Sequence, residues 1–125
     1  MADACPIIVE VENEYAAEHS EPDQGRFVFI YDISIHNTGH RAAQLISRHW
    51  VITDADGEVD EVQGEGVVGE QPVIEPGATY RYNSFCVLET PVGCMQGSYR
   101  MLDENGYEFD APIPAFTLAL PGSLN

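Results

Sequence analysis

The chain has 125 residues, enough for one domain with its own core, and carries 21 acidic residues against five arginines and no lysine, a formal net charge of −16. A surface of that sign repels phosphate backbones and anionic lipid headgroups, which argues against a nucleic-acid partner, and no apolar run approaches the roughly 18 residues of a membrane helix. Cations or a basic protein patch would be attracted instead, although an acid-biased source such as a halophile gives the same charge without any function. The N-terminal Met-Ala-Asp-Ala-Cys-Pro has no basic region and no apolar stretch before a cleavage site, which reads as a cytoplasmic protein.

Residues 7–15 alternate: Val9, Val11 and Tyr15 share one parity, and Glu10, Glu12 and Glu14 the other. Period two with one charged face predicts a strand with one wet side, and the negative charge discourages edge pairing with another chain. Residues 19–25 are loop. Residues 26–36 form a long strand with Phe27, Phe29, Tyr31, Ile33 and Ile35 on one face, turned by Asn37-Thr38-Gly39-His40. Residues 44–53 form another, with Ile46, Trp50 and Ile52 expected on the core face and Trp50 at the centre of the core. Asp54-Ala55-Asp56-Gly57 is a turn, and residues 58–63 alternate again with Val59 expected inward.

Next comes Gln63-Gly64-Glu65-Gly66-Val67-Val68-Gly69-Glu70-Gln71-Pro72, with Gly-x-Gly-x-x-Gly spacing. That spacing binds dinucleotides when it leaves a buried strand and opens a helix. Pro72 and Pro76 bar a helix of useful length here. Gly64, Gly66 and Gly69 could still form a helix-free nest of amides for a pyrophosphate or nucleotide, and they are the candidate ligand-binding residues. Glu65 and Glu70 flank them and no basic residue lies within the segment, so a tight connection or bulge is the favoured reading.

Glu75-Pro76-Gly77 turns the chain into a strand over residues 79–88, and Thr90-Pro91-Val92-Gly93 turns it again. Residues 94–102 form a strand with Met95, Tyr99 and Met101 on one side, and Asn105-Gly106 marks a tight hairpin. Residues 107–120 complete the set, with Pro112 and Pro114 suiting an edge and Phe116, Leu118 and Leu120 alternating. No helical period survives. Short strands at regular spacing predict an all-β protein, an immunoglobulin-like or fibronectin type III-like sandwich of seven to eight antiparallel strands. No cysteine pair flanks Trp50, which favours the fibronectin type. Trp50, Phe29, Tyr31, Tyr99 and Phe116 are the expected core, within a single domain over 1–125 whose ordered part is about 6–121.

Asp54, Asp56 and Glu58 are the candidate metal ligands, for magnesium or cobalt, although Gly57 comes too early for a calcium-binding hand and a solvated hairpin is favoured. His36 and His40 flank a turn but lack a third ligand at zinc or cobalt spacing, and His49 is expected to face away from the Trp50 side. Cys86 and Cys94 could meet across a hairpin centred near Thr90, but a reducing cytosol argues against a disulfide. No serine sits in a nucleophile elbow and no catalytic set emerges. Arg48, on the predicted face of Ile46, is read first as a structural residue and second as an anchor for an acidic partner.

The stretch Arg48-His49-Trp50-Val51-Ile52-Thr53-Asp54, the run Glu61-Val62-Gln63-Gly64-Glu65-Gly66-Val67-Val68-Gly69 with Gln71-Pro72, then Glu89-Thr90-Pro91, Met95-Gln96-Gly97 and Tyr99-Arg100-Met101, closely resemble the bacterial ApaG family, as does Tyr31-Asp32-Ile33-Ser34-Ile35-His36-Asn37 upstream. The resemblance implies a fibronectin type III-like fold. It also implies a link to cobalt resistance and magnesium efflux, a gene context beside a diadenosine tetraphosphatase and an rRNA dimethyltransferase, and eukaryotic relatives beside F-box regions and in a polymerase-interacting protein. It supplies no catalytic residues. The reading that follows is a non-enzymatic interaction module with a protein partner, acting on cobalt or magnesium only indirectly, with a homodimer through an edge strand open to it. The alternatives are a binder of divalent metal or pyrophosphate and, last, a nucleotide phosphohydrolase.

Overall fold

The computed structural model describes residues 5–122. Alternating β-branched and aromatic residues give eight strands: β1 (Ile7–Tyr15), β2 (Phe27–Asn37), β3 (Ala43–Asp54), β4 (Val59–Glu65), β5 (Val73–Ile74), β6 (Thr79–Leu88), β7 (Val92–Asp103) and β8 (Glu108–Ala119). Two short 3-10 turns, Ala17–His19 and Pro22–Gln24, fill the connection between β1 and β2. One sheet has the order β1-β2-β6 and the other β4-β3-β7-β8, with β5 also on β3; every pairing is antiparallel. This is the fibronectin type III-like sandwich.

The inward faces make one core. Trp50 is 3% exposed and its ring lies 5.6 Å from Tyr31, 6.0 Å from Phe116 and 6.4 Å from Tyr99, each near edge-to-face. Such pairs add to the burial of their area. Phe29, Tyr31 and Tyr99 are buried with it, whereas Phe116 is half-buried and packs at the margin.

Three expectations change. A bulge between Leu45 and Ser47 leaves Ile46 without a partner on β7, so the inward parity switches: Leu45 is fully buried before it, and Arg48, Trp50 and Ile52 point inward after it. Ile46 therefore does not share the Trp50 face. Val59 is exposed, because it pairs with Thr53; the β4 valine on the core side is Val62, opposite Trp50. Residues 89–91 do not close a hairpin. They carry the chain from β6 in one sheet to β7 in the other, where Cys86 pairs with Phe29 and Cys94 with Thr53, and all three cysteines are free.

Side chains lock the connections. Asn37 is fully buried; its Nδ2 donates to the carbonyls of Arg41 (2.8 Å) and Ile74 (2.9 Å), and its Oδ1 accepts from Gly39 N (2.9 Å). It ties the end of β2 to β5 in the opposite sheet. The carboxylate of Asp103 accepts from the amides of Asn105 and Tyr107. The flanks of the sandwich differ. β1 packs along β8, and Asn13 Nδ2 reaches Thr117 O at 3.3 Å. Between the opposite edges, β4 and β6, a cleft of about 550 Å³ leads down to Tyr31 and Trp50.

Candidate functional site

The glycine segment follows from how β3 is flanked. β4 pairs with Ser47 to Thr53 and β5 with Ala43 and Gln44, so β4 and β5 lie end to end along one strand and residues 66–72 loop out between them. The loop starts at the unpaired residue of β3: the Ile46 carbonyl accepts from Gly66 N (2.8 Å) and from Gln71 Nε2 (2.8 Å). Val67 and Glu70 exchange both backbone bonds, at 2.8 and 2.9 Å, around a two-residue turn in which Val68 (φ 42) and Gly69 (φ 82) are both left-handed. That is the twist a tight hairpin favours.

Each glycine has a local reason. A Cβ at Gly64 would lie 2.8 Å from both Nη atoms of Arg48, so the missing side chain admits the guanidinium across the face of β4. At Gly66 (φ 62) a Cβ would come 2.2 Å from the Glu70 carbonyl oxygen. Arg48 Nη1 donates to the carbonyls of Glu65 (3.0 Å) and Gly66 (2.9 Å). The loop thus turns carbonyls toward a cation, and the amides of Gly66, Val67 and Glu70 are engaged in backbone bonds. An anion nest needs free, convergent amides; here Gly64 and Gly66 shape the backbone around Arg48, and Gly69 closes the two-residue turn.

The acidic turn is built for closure. Asp54 Oδ1 accepts from the amides of Asp56 (2.9 Å) and Glu58 (3.0 Å), the same device as at Asp103. Among the described residues no group of three or more His, Cys, Asp or Glu is placed to hold a metal ion. His36 Nδ1 is 2.6 Å from Thr79 Oγ1, and His49 on the outer face has Nε2 3.0 Å from Glu61 Oε1.

Arg48 also lines the cleft between β4 and β6, over a set of phenols. The Tyr82 and Tyr99 hydroxyls hydrogen-bond to each other. Burial raises the pKa of Tyr82, Tyr99 and Tyr31 above the ordinary phenol value; Ser84 opposes the shift on Tyr31 by hydrogen bonding, and Arg48 opposes all three by its charge. Burial likewise pushes the Cys86 thiol up to about 11. Burial keeps these groups protonated at pH 7, and Tyr82 and Tyr99 act as hydrogen-bonding partners. The mouth of the cleft mixes apolar and acidic groups: Phe85 is 63% exposed, Val87 41% and Val62 39%, with Asp60 and Glu61 beside them. Phe85 was not among the residues singled out from sequence. Its signal was there, because the wet parity of β6 changes from Thr79, Arg81 and Asn83 to Phe85 and Val87.

The ApaG domain model matches residues 17–103 of this chain. Protein ApaG of Thiobacillus denitrificans is 59% identical over 119 residues, 95% of this chain and 94% of that one. Protein ApaG of Aromatoleum aromaticum is 57% identical with the same coverage. The crystal structure of the ApaA protein from Bordetella pertussis superposes with a TM-score of 0.90 at 49% identity, over 94% of this chain and 95% of that one. With the family model over residues 17–103, and the sequence relatives and the fold in agreement along nearly the whole length, this chain belongs to the ApaG family.

Proposed function

We propose that this protein is a non-enzymatic interaction module and that its influence on cobalt or magnesium passes through a protein partner. The observation that carries this reading is the open flank between β4 and β6, where Phe85, Val87 and Val62 stand in solvent above the buried Trp50 cluster. A monomer seldom gathers large apolar side chains at an unpaired sheet edge without something to cover them. The net charge of −16 works against nucleic acid and toward partners whose surface can tolerate or match it. The engaged amides of Gly66, Val67 and Glu70 and the self-capped Asp54 turn both favour protein contact over small-anion or metal binding.

Two measurements test this together. Calorimetry with magnesium, cobalt and diadenosine tetraphosphate at fixed salt should show no saturable heat. Affinity capture with the full chain should recover a specific protein that free untagged chain competes away. Saturable binding of any of the three small ligands, with no competed protein, would replace this reading by the ligand-binding one.

A further inference from the structure

The outer face of the β1-β2-β6 sheet is polar along most of its length, with Glu10, Glu12, Asp32 and Arg81, and changes character at one end. There Ile30 lies opposite Phe85, and Val28 opposite Val87. Val28 and Ile30 line a groove of about 500 Å³ together with His19 and Arg26, from the connection between β1 and β2, and with Phe85 and Val68. Val68 comes from the other sheet, at the tip of the glycine loop. A β-branched residue at φ 42 is an outlier that persists only where its surroundings hold it. They do: the Val67–Glu70 bridge and the tight fit at Gly66 fix the turn. Val68 is 60% exposed, so burial does not explain a valine in that place. What the conformation achieves is an apolar side chain set beside Phe85 along the same groove.

Charge narrows the occupant. Three further clefts each include an aspartate or glutamate, whereas this groove includes Arg26 and His19 and no carboxylate. Negative charge begins outside it, with Glu18 at 4.0 Å from His19 and Glu14 opposite Ile30 on β1. Arg26 gives its Nε to the His19 carbonyl at 3.3 Å and makes no ion pair among the described residues. We propose that the glycine loop presents Val68 to complete, with Phe85, Ile30 and Arg26, a docking groove for a segment of a partner protein that carries a bulky apolar side chain next to a carboxylate. The apolar side chain lies on Ile30 between Phe85 and Val68, over the already buried Val28, and the carboxylate meets Arg26 as a charge-assisted pair. A basic segment is drawn to the molecule as a whole, but at this groove it meets the charge of Arg26. The proposal rests on the interaction reading and gives it a place and a partner chemistry.

The test uses short fluorescent peptides with a tryptophan flanked by aspartates, the same peptide with lysines for the aspartates, and the aspartate peptide with serine for tryptophan, followed by anisotropy at about 150 mM salt. The aspartate–tryptophan peptide should saturate the protein and bind about tenfold tighter than either control. Phe85→Ser and Arg26→Gln should each weaken it several-fold. Val68→Gly should weaken it too while the thermal midpoint holds or rises, which separates docking from folding. Equal or tighter binding of the lysine peptide, no saturable binding of the aspartate–tryptophan peptide, or indifference to all three substitutions would overturn the proposal. A partner captured equally by the native chain and by Phe85→Ser would overturn it as well while leaving the interaction reading standing; capture of no competed protein would remove that reading itself.

Discussion

Gly66 and Gly69 share a motif and a left-handed backbone but differ in what surrounds them. Adding a methyl at Gly69 meets nothing within 4 Å, so Gly69→Ala carries only conformational strain, about 1–2 kcal/mol. At Gly66 the methyl also collides with the Glu70 carbonyl, and Gly66→Ala should cost about 2–4 kcal/mol. Urea midpoints of the two variants check this; equal losses would mean the loop relaxes freely around Gly66. Asn37 allows a sharper test, because Asn37→Asp replaces a two-proton donor by an acceptor facing the Arg41 and Ile74 carbonyls. The expected loss is about 2–3 kcal/mol, larger than for Asn37→Ser, and is read from the same denaturation curves. Its place in Asn37-Thr38-Gly39-His40 marks Asn37 only as a turn residue. That it is buried and ties two sheets together depends on Ile74, 37 residues onward, which no local pattern reports.

At the scale of strands, period-two reading recovers all the long elements and most inward faces, because a half-buried strand writes its burial into its alternation. It fails where the alternation is broken by an extra residue, and in β4, where Val59 and Val62 lie on opposite parities and only pairing with β3 decides between them. Leu45 and Ile46 are both large and apolar, so nothing in that pair says which one the bulge sets aside. Residues 89–91 carry turn chemistry that serves a hairpin and a crossing between sheets equally well, and only the partners of β6 and β7 decide. The glycine spacing was legible as a loop that needs room. Its use was not, since Arg48 and Phe85 reach it from other strands. Trp50 is central on both readings: Trp50→Ala should cost about 3–5 kcal/mol, and an unchanged urea midpoint would refute its place in the core.

Over the whole molecule, the buried phenols and thiol make alkaline pH the condition to watch. Below about pH 8, Tyr31, Tyr82, Tyr99 and Cys86 are protonated in both folded and unfolded chains and add no pH dependence. Above it the unfolded chain gives up protons first, because burial raises the folded values, so stability falls as pH rises. Cys86 alone, moving from 9.0 to about 11, implies a loss on the order of 2 kcal/mol by pH 11. The urea midpoint should therefore drop steadily between about pH 9 and pH 11, and Cys86→Ala should flatten the first part of that fall. A midpoint level through pH 11 would mean these groups reach water in the folded state.

The unequal flanks of the sandwich have a dynamic meaning. With β1 set along β8 on one side and a cleft between β4 and β6 on the other, the two sheets are joined like a book with one bound margin. Brief openings should begin at the loose margin, so amide hydrogens of β4 should exchange with solvent well before those of β2 and β7, each held between two neighbouring strands. A bound segment at Phe85 would act as a clasp, slowing exchange along β6 without touching the spine. The same fluctuation that lets water in beside Trp50 would then be the quantity a partner regulates.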